Sequence, residues 1–162
     1  MTSWKSRLTT AFSQAPKVAI LGIGNDLKAD DGVGPYVINQ LLSHTPSNVE
    51  LINASTVPEN FLSHLIDSHP DLILLIDAAL MQTEPGTIQL IDKDTIGGIA
   101  FSSHSLPLTF FIEYIENNIT TTILILGIQP LTDEFAQPLS DPVQHAAHEI
   151  IDTLSNLFTK TL

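Results

Sequence analysis

Apolar residues along the chain recur at two spacings, and the two alternate. Residues 17–24 read Lys-Val-Ala-Ile-Leu-Gly-Ile-Gly, a short β-branched run closed by glycines, which predicts a buried strand running into a tight loop. Beyond Gly34-Pro35, the positions Val37, Ile38, Leu41 and Leu42 recur at helical spacing, with proline tolerated in a first turn, so a helix is predicted to end near His44. Residues 49–54 predict a second strand, and Pro58-Glu59-Asn60 opens a second helix with Phe61, Leu62, Leu65 and Ile66 on one face. Residues 71–77 are apolar at every internal position, as expected of a central parallel strand covered on both sides, and Asp77 stands at its carboxyl end. After a turn at Pro85-Gly86, residues 87–91 alternate with period two and fit a strand nearer an edge. Residues 107–115 fit a helix and residues 120–128 a further buried strand, and Asp141-Pro142 starts a helix reaching about Phe158.

The order βαβαββαβα predicts an α/β fold, a three-layer sandwich in which a twisted, mostly parallel five-stranded sheet carries helices on both faces. Ligands of such sheets bind outside the carboxyl ends of the strands. Function is therefore expected in the loops covering residues 24–34, 54–60, 77–81 and 127–130. A length of 162 residues fits a single domain, residues 17–162, behind an N-terminal lead-in, residues 1–16. The first 17 residues hold Lys5, Arg7 and Lys17, contain no acid and lack the apolar core of a secretory signal. They read as a loose lead-in or a short amphipathic helix, and the protein is expected in the cytoplasm.

Composition narrows the classes of function. Charged residues are only 15% of the chain, against roughly 25% in an average domain, which favours elements buried on more than one face. A formal charge of −12 repels phosphate backbones and anionic lipid, so neither nucleic acid nor a membrane surface is an expected partner. The longest apolar runs, residues 72–76 and 123–128, fall far short of the roughly 20 residues of a membrane-spanning helix. Without cysteine there is no disulfide, zinc ribbon, iron-sulfur cluster or thiol nucleophile, and catalysis is left to carboxylates, histidine, hydroxyls, lysine or a metal.

Gly22-Ile-Gly24 resembles the start of a dinucleotide fingerprint, but the third glycine position holds Leu27, and Asp26, Asp30 and Asp31 would repel a pyrophosphate. A nucleotide-dependent oxidoreductase is thereby disfavoured; a cation suits the loop better. In Asp30-Asp31-Gly32-Val33-Gly34 an aspartate serves either to cap the following helix or to bind that cation. Capping cannot explain Asp77, whose loop opens on the same sheet edge. His104, in Phe101-Ser-Ser-His-Ser-Leu-Pro107, is either an ordinary loop histidine or a third member of the set. Asp31, Asp77 and His104 together offer two hard oxygen ligands and an imidazole, suited to a divalent transition metal. His145 and His148 match neither H-E-x-x-H nor H-x-x-E-H and read as a solvated helix face; no G-x-S-x-G accompanies Ser102, Ser103 and Ser105.

Four blocks in order, residues 22–34 (Gly-Ile-Gly-Asn-Asp-Leu-Lys-Ala-Asp-Asp-Gly-Val-Gly), Ile76-Asp77-Ala78, residues 103–107 (Ser-His-Ser-Leu-Pro) and residues 126–130 (Leu-Gly-Ile-Gln-Pro), resemble the signature of the nickel-iron hydrogenase maturation endopeptidases. Within them the chain is most similar to the branch that processes the hydrogenase 3 large subunit. The resemblance implies a nickel-dependent, aspartic-type endopeptidase, monomeric, that removes the C-terminal extension of a hydrogenase large-subunit precursor. It implies that Asp31, Asp77 and His104 bind the nickel already held by that precursor, with Asp31 or Asp77 available as general base. The competing reading is a nickel-sensing maturation chaperone that binds the same precursor without cutting it. Where some relatives carry Asp-Gly-Gly after the second strand, this chain has Asn53-Ala-Ser-Thr56, which removes a carboxylate there. The acidic surface suits a basic patch on the precursor.

Overall fold

The computed structural model describes residues 3–102 and 106–160. Helices α1 (Trp4–Ser13), α2 (Val33–Leu41), α3 (Leu62–Ser68), α4 (Leu108–Asn118) and α5 (Asp141–Lys160) surround strands β1 (Val18–Ile23), β2 (Val49–Ser55), β3 (Leu72–Leu80), β4 (Ile88–Ile91), β5 (Ala100–Phe101) and β6 (Thr122–Ile128). The main sheet runs β2-β1-β3-β6-β4, with β3 at its centre. The pairs β1·β2, β1·β3 and β3·β6 are parallel, while β4 closes the edge antiparallel to β6.

Every residue of β1 is buried, because both faces of the sheet are covered; a continuous apolar run is what such a strand requires. Val18 and Ile20 join an apolar cluster with Leu8 and Phe12 of α1, Val37 of α2 and Leu154 of α5. Ala19, Leu21 and Ile23 point the other way, toward Leu65 of α3 and Phe111 and Ile115 of α4. The three layers are therefore α1, α2 and α5 on one side, the sheet, and α3 with α4 on the other.

The structure departs from the sequence-based expectation in two places, and of the two readings of the lead-in it takes the short helix. The sheet has a sixth strand, the two-residue β5, paired antiparallel to the end of β3 at Ala79↔Phe101 and Leu80↔Ala100. That pairing lets β3 continue three residues beyond Asp77, which lies within the ladder opposite Gly127 rather than at the strand's end. Before β1, residues 4–13 form helix α1, started by Ser3, whose Oγ accepts the Ser6 amide at 3.2 Å. Leu8 and Phe12 of this helix are buried, the Phe12 and Phe158 rings lie 6.4 Å apart, and Lys5 Nζ reaches Glu149 Oε1 at 2.8 Å. Among the described residues no helix is long and apolar enough to cross a membrane.

One contact sets the height of α2 above the sheet. A Cβ on Gly34 would lie 2.4 Å from the carbonyl oxygen of Ile23 and 2.5 Å from that of Ile76, so only a bare backbone lets the helix start sit on β1 and β3. Gly34→Ala should therefore lose ~3 kcal/mol of stability in urea unfolding, the upper range for overpacking, because backbone atoms cannot step aside. Gly97→Ala, where nothing lies within 4 Å of the added carbon, should shift the midpoint little.

Candidate active site

The connection from β1 to α2 is a tightly folded loop. Gly24 takes φ +142°, its amide donates to Ser55 O at 2.8 Å, and a Cβ there would fall on the carbonyl oxygen of Asp31. Asn25 Oδ1 accepts the Leu27 amide at 2.9 Å and Asn25 O the Lys28 amide at 3.1 Å, folding the chain back before a 3-10 turn over Ala29–Gly32. That turn delivers two adjacent aspartates to different surroundings.

Asp30 is buried and fully engaged. Its Oδ2 accepts the amides of Leu131 at 2.8 Å and Thr132 at 3.1 Å and the hydroxyl of Ser140 at 2.8 Å, and its Oδ1 accepts the Ser140 amide at 2.7 Å. Its own amide donates to Thr132 O at 3.2 Å, and Leu27 O accepts the Ala136 amide at 2.8 Å. The carboxylate thus ties down residues 131–140, the segment between β6 and α5. It does not cap α2, whose N-cap is Gly32 with no side-chain bond, and the capping alternative is set aside.

Asp31 lines a cleft of about 370 Å³ at the carboxyl end of the parallel strands. Lys28 stands beside it, residues 78–80 of β3 with Ala100, Phe101 and Ser102 form one wall, and residues 130–133 form the other. Asp77 is buried directly before Ala78, and its Oδ1 accepts the hydroxyl of Ser102, which itself lines the cleft. A buried carboxylate is costly unless its lone pairs are matched, and this hydroxyl is one of the groups that match them. Gln129, also buried, uses Oε1 to accept the Met81 amide at 2.7 Å, fastening the turn after β3 to the end of β6.

Asp31, from the turn before α2, thus lines the cleft, while Asp77, within β3, lies buried next to it, joined to the lining residues Ala78 in the chain and Ser102 by a hydrogen bond. His104 lies outside the described residues. His145 and His148 are exposed on α5, with His148 Nε2 3.3 Å from the Tyr36 hydroxyl, away from the cleft. Among the described residues no group of three or more acidic, histidine or cysteine side chains is placed to hold a metal ion. Ser102, Gln129 and Lys28 acquire roles that spacing alone did not show. The available signals were a serine two places before His104, and a glutamine between an apolar strand and Pro130.

Comparison with known proteins identifies the family and the fold. The family model for HycI, hydrogenase maturation protease, matches residues 35–157. The chain is 38% identical to a Methanocaldococcus jannaschii protein provisionally named a hydrogenase maturation protease, over 93% of each chain. It is 29% identical to the hydrogenase 3 maturation protease of Escherichia coli, over 83% of this chain and 86% of the other. The crystal structure of the [NiFe] hydrogenase maturation protease HycI from Thermococcus kodakarensis superposes with a TM-score of 0.87 at 27% identity, covering 95% of this chain and 99% of that one. The family model and these relatives make it an α/β protease of hydrogenase maturation. The chain belongs to the hydrogenase maturation protease family of HycI type.

The anchoring role of Asp30 is open to direct measurement. Asp30→Ala strands three amides around a missing carboxylate, and should cost ~3 kcal/mol or more, since bonds to a charged acceptor are worth about 1.5–3 kcal/mol each and do not simply add. Amide exchange at Leu131, Thr132 and Ser140 should accelerate beyond what the global stability change accounts for; uniform acceleration across the chain would remove the anchoring role.

Proposed function

We propose that this protein is a nickel-dependent, aspartic-type endopeptidase that removes the C-terminal extension from the precursor of a nickel-iron hydrogenase large subunit. It is read as acting on that precursor as a monomer in the cytoplasm. The observation that carries the proposal is that Asp31 lines the cleft and Asp77 lies buried beside it, bonded to the cleft residue Ser102, in a chain of the hydrogenase maturation protease family. The nickel belongs to the substrate. Carboxylate oxygens from Asp31 and Asp77, with the imidazole that the sequence supplies at His104, form a donor set that suits it. Binding that metal would make recognition conditional on a loaded precursor and would seat the bond to be cut against the carboxylates.

In the cutting step a carboxylate of Asp31 or Asp77 takes a proton from water as its oxygen bonds to the scissile carbonyl carbon. Collapse of the resulting tetrahedral centre breaks the C–N bond, and the proton passes to the leaving amine. Ser102 acts through Asp77 as a positioning residue, since its hydroxyl holds one oxygen of that carboxylate and so fixes its rotamer.

The deciding experiment is mass spectrometry of nickel-loaded and nickel-free precursor incubated with wild-type protein and with Asp31→Asn. A single C-terminal cut that requires both nickel and Asp31 is the expected result. A loaded precursor that binds but stays intact would make the protein a maturation chaperone instead. Ser102→Ala should slow processing about 10- to 100-fold, the usual loss when a partner of a ligating carboxylate is removed. Ser102→Thr, which keeps the hydroxyl, should recover most of the rate; equal losses in both variants would reduce Ser102 to packing.

A further inference from the structure

Seven large apolar side chains stand well exposed among the described residues; two of them line the cleft and two more flank its lining residues in the chain. Leu80 and Leu131 line its two walls. Leu27 directly precedes Lys28 of the cleft, Phe135, 70% exposed, follows Asp133 of the cleft by two residues, and the bond from the Ala136 amide to Leu27 O ties the two backbone segments together. Exposed apolar side chains gathered round one opening mark a binding surface, where scattered ones would need no explanation. The surface is also preformed: Asp30 holds the segment carrying Leu131 and Phe135 by four hydrogen bonds, so little ordering remains to be done on binding.

Charge says what the occupant carries. Of six basic side chains, Lys5, Arg7 and Lys93 are paired with Glu149, Asp92 and Glu116, Lys17 donates to the Ser68 carbonyl, and Lys160 ends α5, outside the cleft. Lys28 forms no ion pair with a described residue, and it sits in the cleft of a protein with net charge −12. Two acids share the cleft, Asp31 and, on the far wall, Asp133. Asp31 is already assigned to the metal of the substrate, which leaves a cation framed by apolar side chains.

We infer that Leu27, Leu80, Leu131 and Phe135 form a docking surface for an apolar segment of the precursor, and that Lys28 selects a carboxylate within that segment. The inference rests on the proposed function for the identity of the partner, and goes beyond it in stating the chemistry of the segment recognised. Apolar contact supplies the affinity, and the lysine supplies register, since a carboxylate shifted along the cleft would lose its partner.

The test is precursor binding by titration calorimetry, together with KM and kcat of processing, for Phe135→Ala, Lys28→Glu and Lys28→Arg, with folding checked by thermal unfolding. Phe135→Ala should weaken binding about tenfold, as expected for truncating an exposed aromatic anchor, with the loss falling on KM. Lys28→Glu should weaken binding at least as much at low salt and less at high salt, while Lys28→Arg stays near wild type. Wild-type affinity in both Phe135→Ala and Lys28→Glu would overturn the inference. So would a dimer of this protein that Phe135→Ala dissociates, which would give the surface to a second copy. Precursor that binds with these dependences yet is never cut would remove the endopeptidase reading and leave the docking surface standing.

Discussion

The position of α2 depends on a close approach of backbone to backbone. Gly34 sits on the carbonyl groups of Ile23 and Ile76, and a Cβ on Gly22 would meet the Gly34 carbonyl oxygen at 2.4 Å. With side chains at either place the helix would ride higher above the sheet, and the loop before it would be carried away from the end of β3. Asp31 reaches the cleft because α2 is low, and Asp77 comes to lie directly behind the cleft residues Ala78 and Ser102 because β3 runs beneath that helix. Two carboxylates far apart in the chain are thereby set at the same edge of the sheet by the close seating of α2 and the parallel pairing of β1 with β3.

A second constraint acts on the opposite wall. Residues 131–140 contain no helix or strand, and such a segment ordinarily samples many conformations at an entropic cost on binding. Here one buried carboxylate gathers its amides at Leu131, Thr132 and Ser140. The adjacent pair Asp30-Asp31 thus divides two tasks between neighbouring residues, one facing inward to build the wall and one facing the cleft that the wall encloses. A single peptide unit separates the structural anion from the one that lines the cleft.

Much of this was legible in the sequence because the central strands are buried on both faces. Continuous apolar runs at residues 18–23, 72–76 and 123–128 have no other economical explanation, and they fixed the layer order and the edge at which to look. Asp31 and Asp77 were legible as polar residues stranded at that edge. The continuation of β3 through Ala78, Ala79 and Leu80 was not, because a buried aspartate reads as the end of a strand until its partner is known, and Ser102 comes 25 positions later. Strand β5 has two residues and therefore no period to detect. Nor could spacing separate the fates of Asp30 and Asp31, since the donors that claim Asp30 lie 101 to 110 positions away.

In the proposed function Asp31 and Asp77 engage the nickel of the substrate. Nickel-edge X-ray absorption of the loaded precursor, alone and with one equivalent of this protein, tests it without reference to turnover. Additional oxygen and nitrogen scatterers around nickel in the complex, absent when Asp31→Asn or Asp77→Asn replaces the wild type, are the predicted result. An unchanged nickel environment in a complex that goes on to be processed would contradict the account.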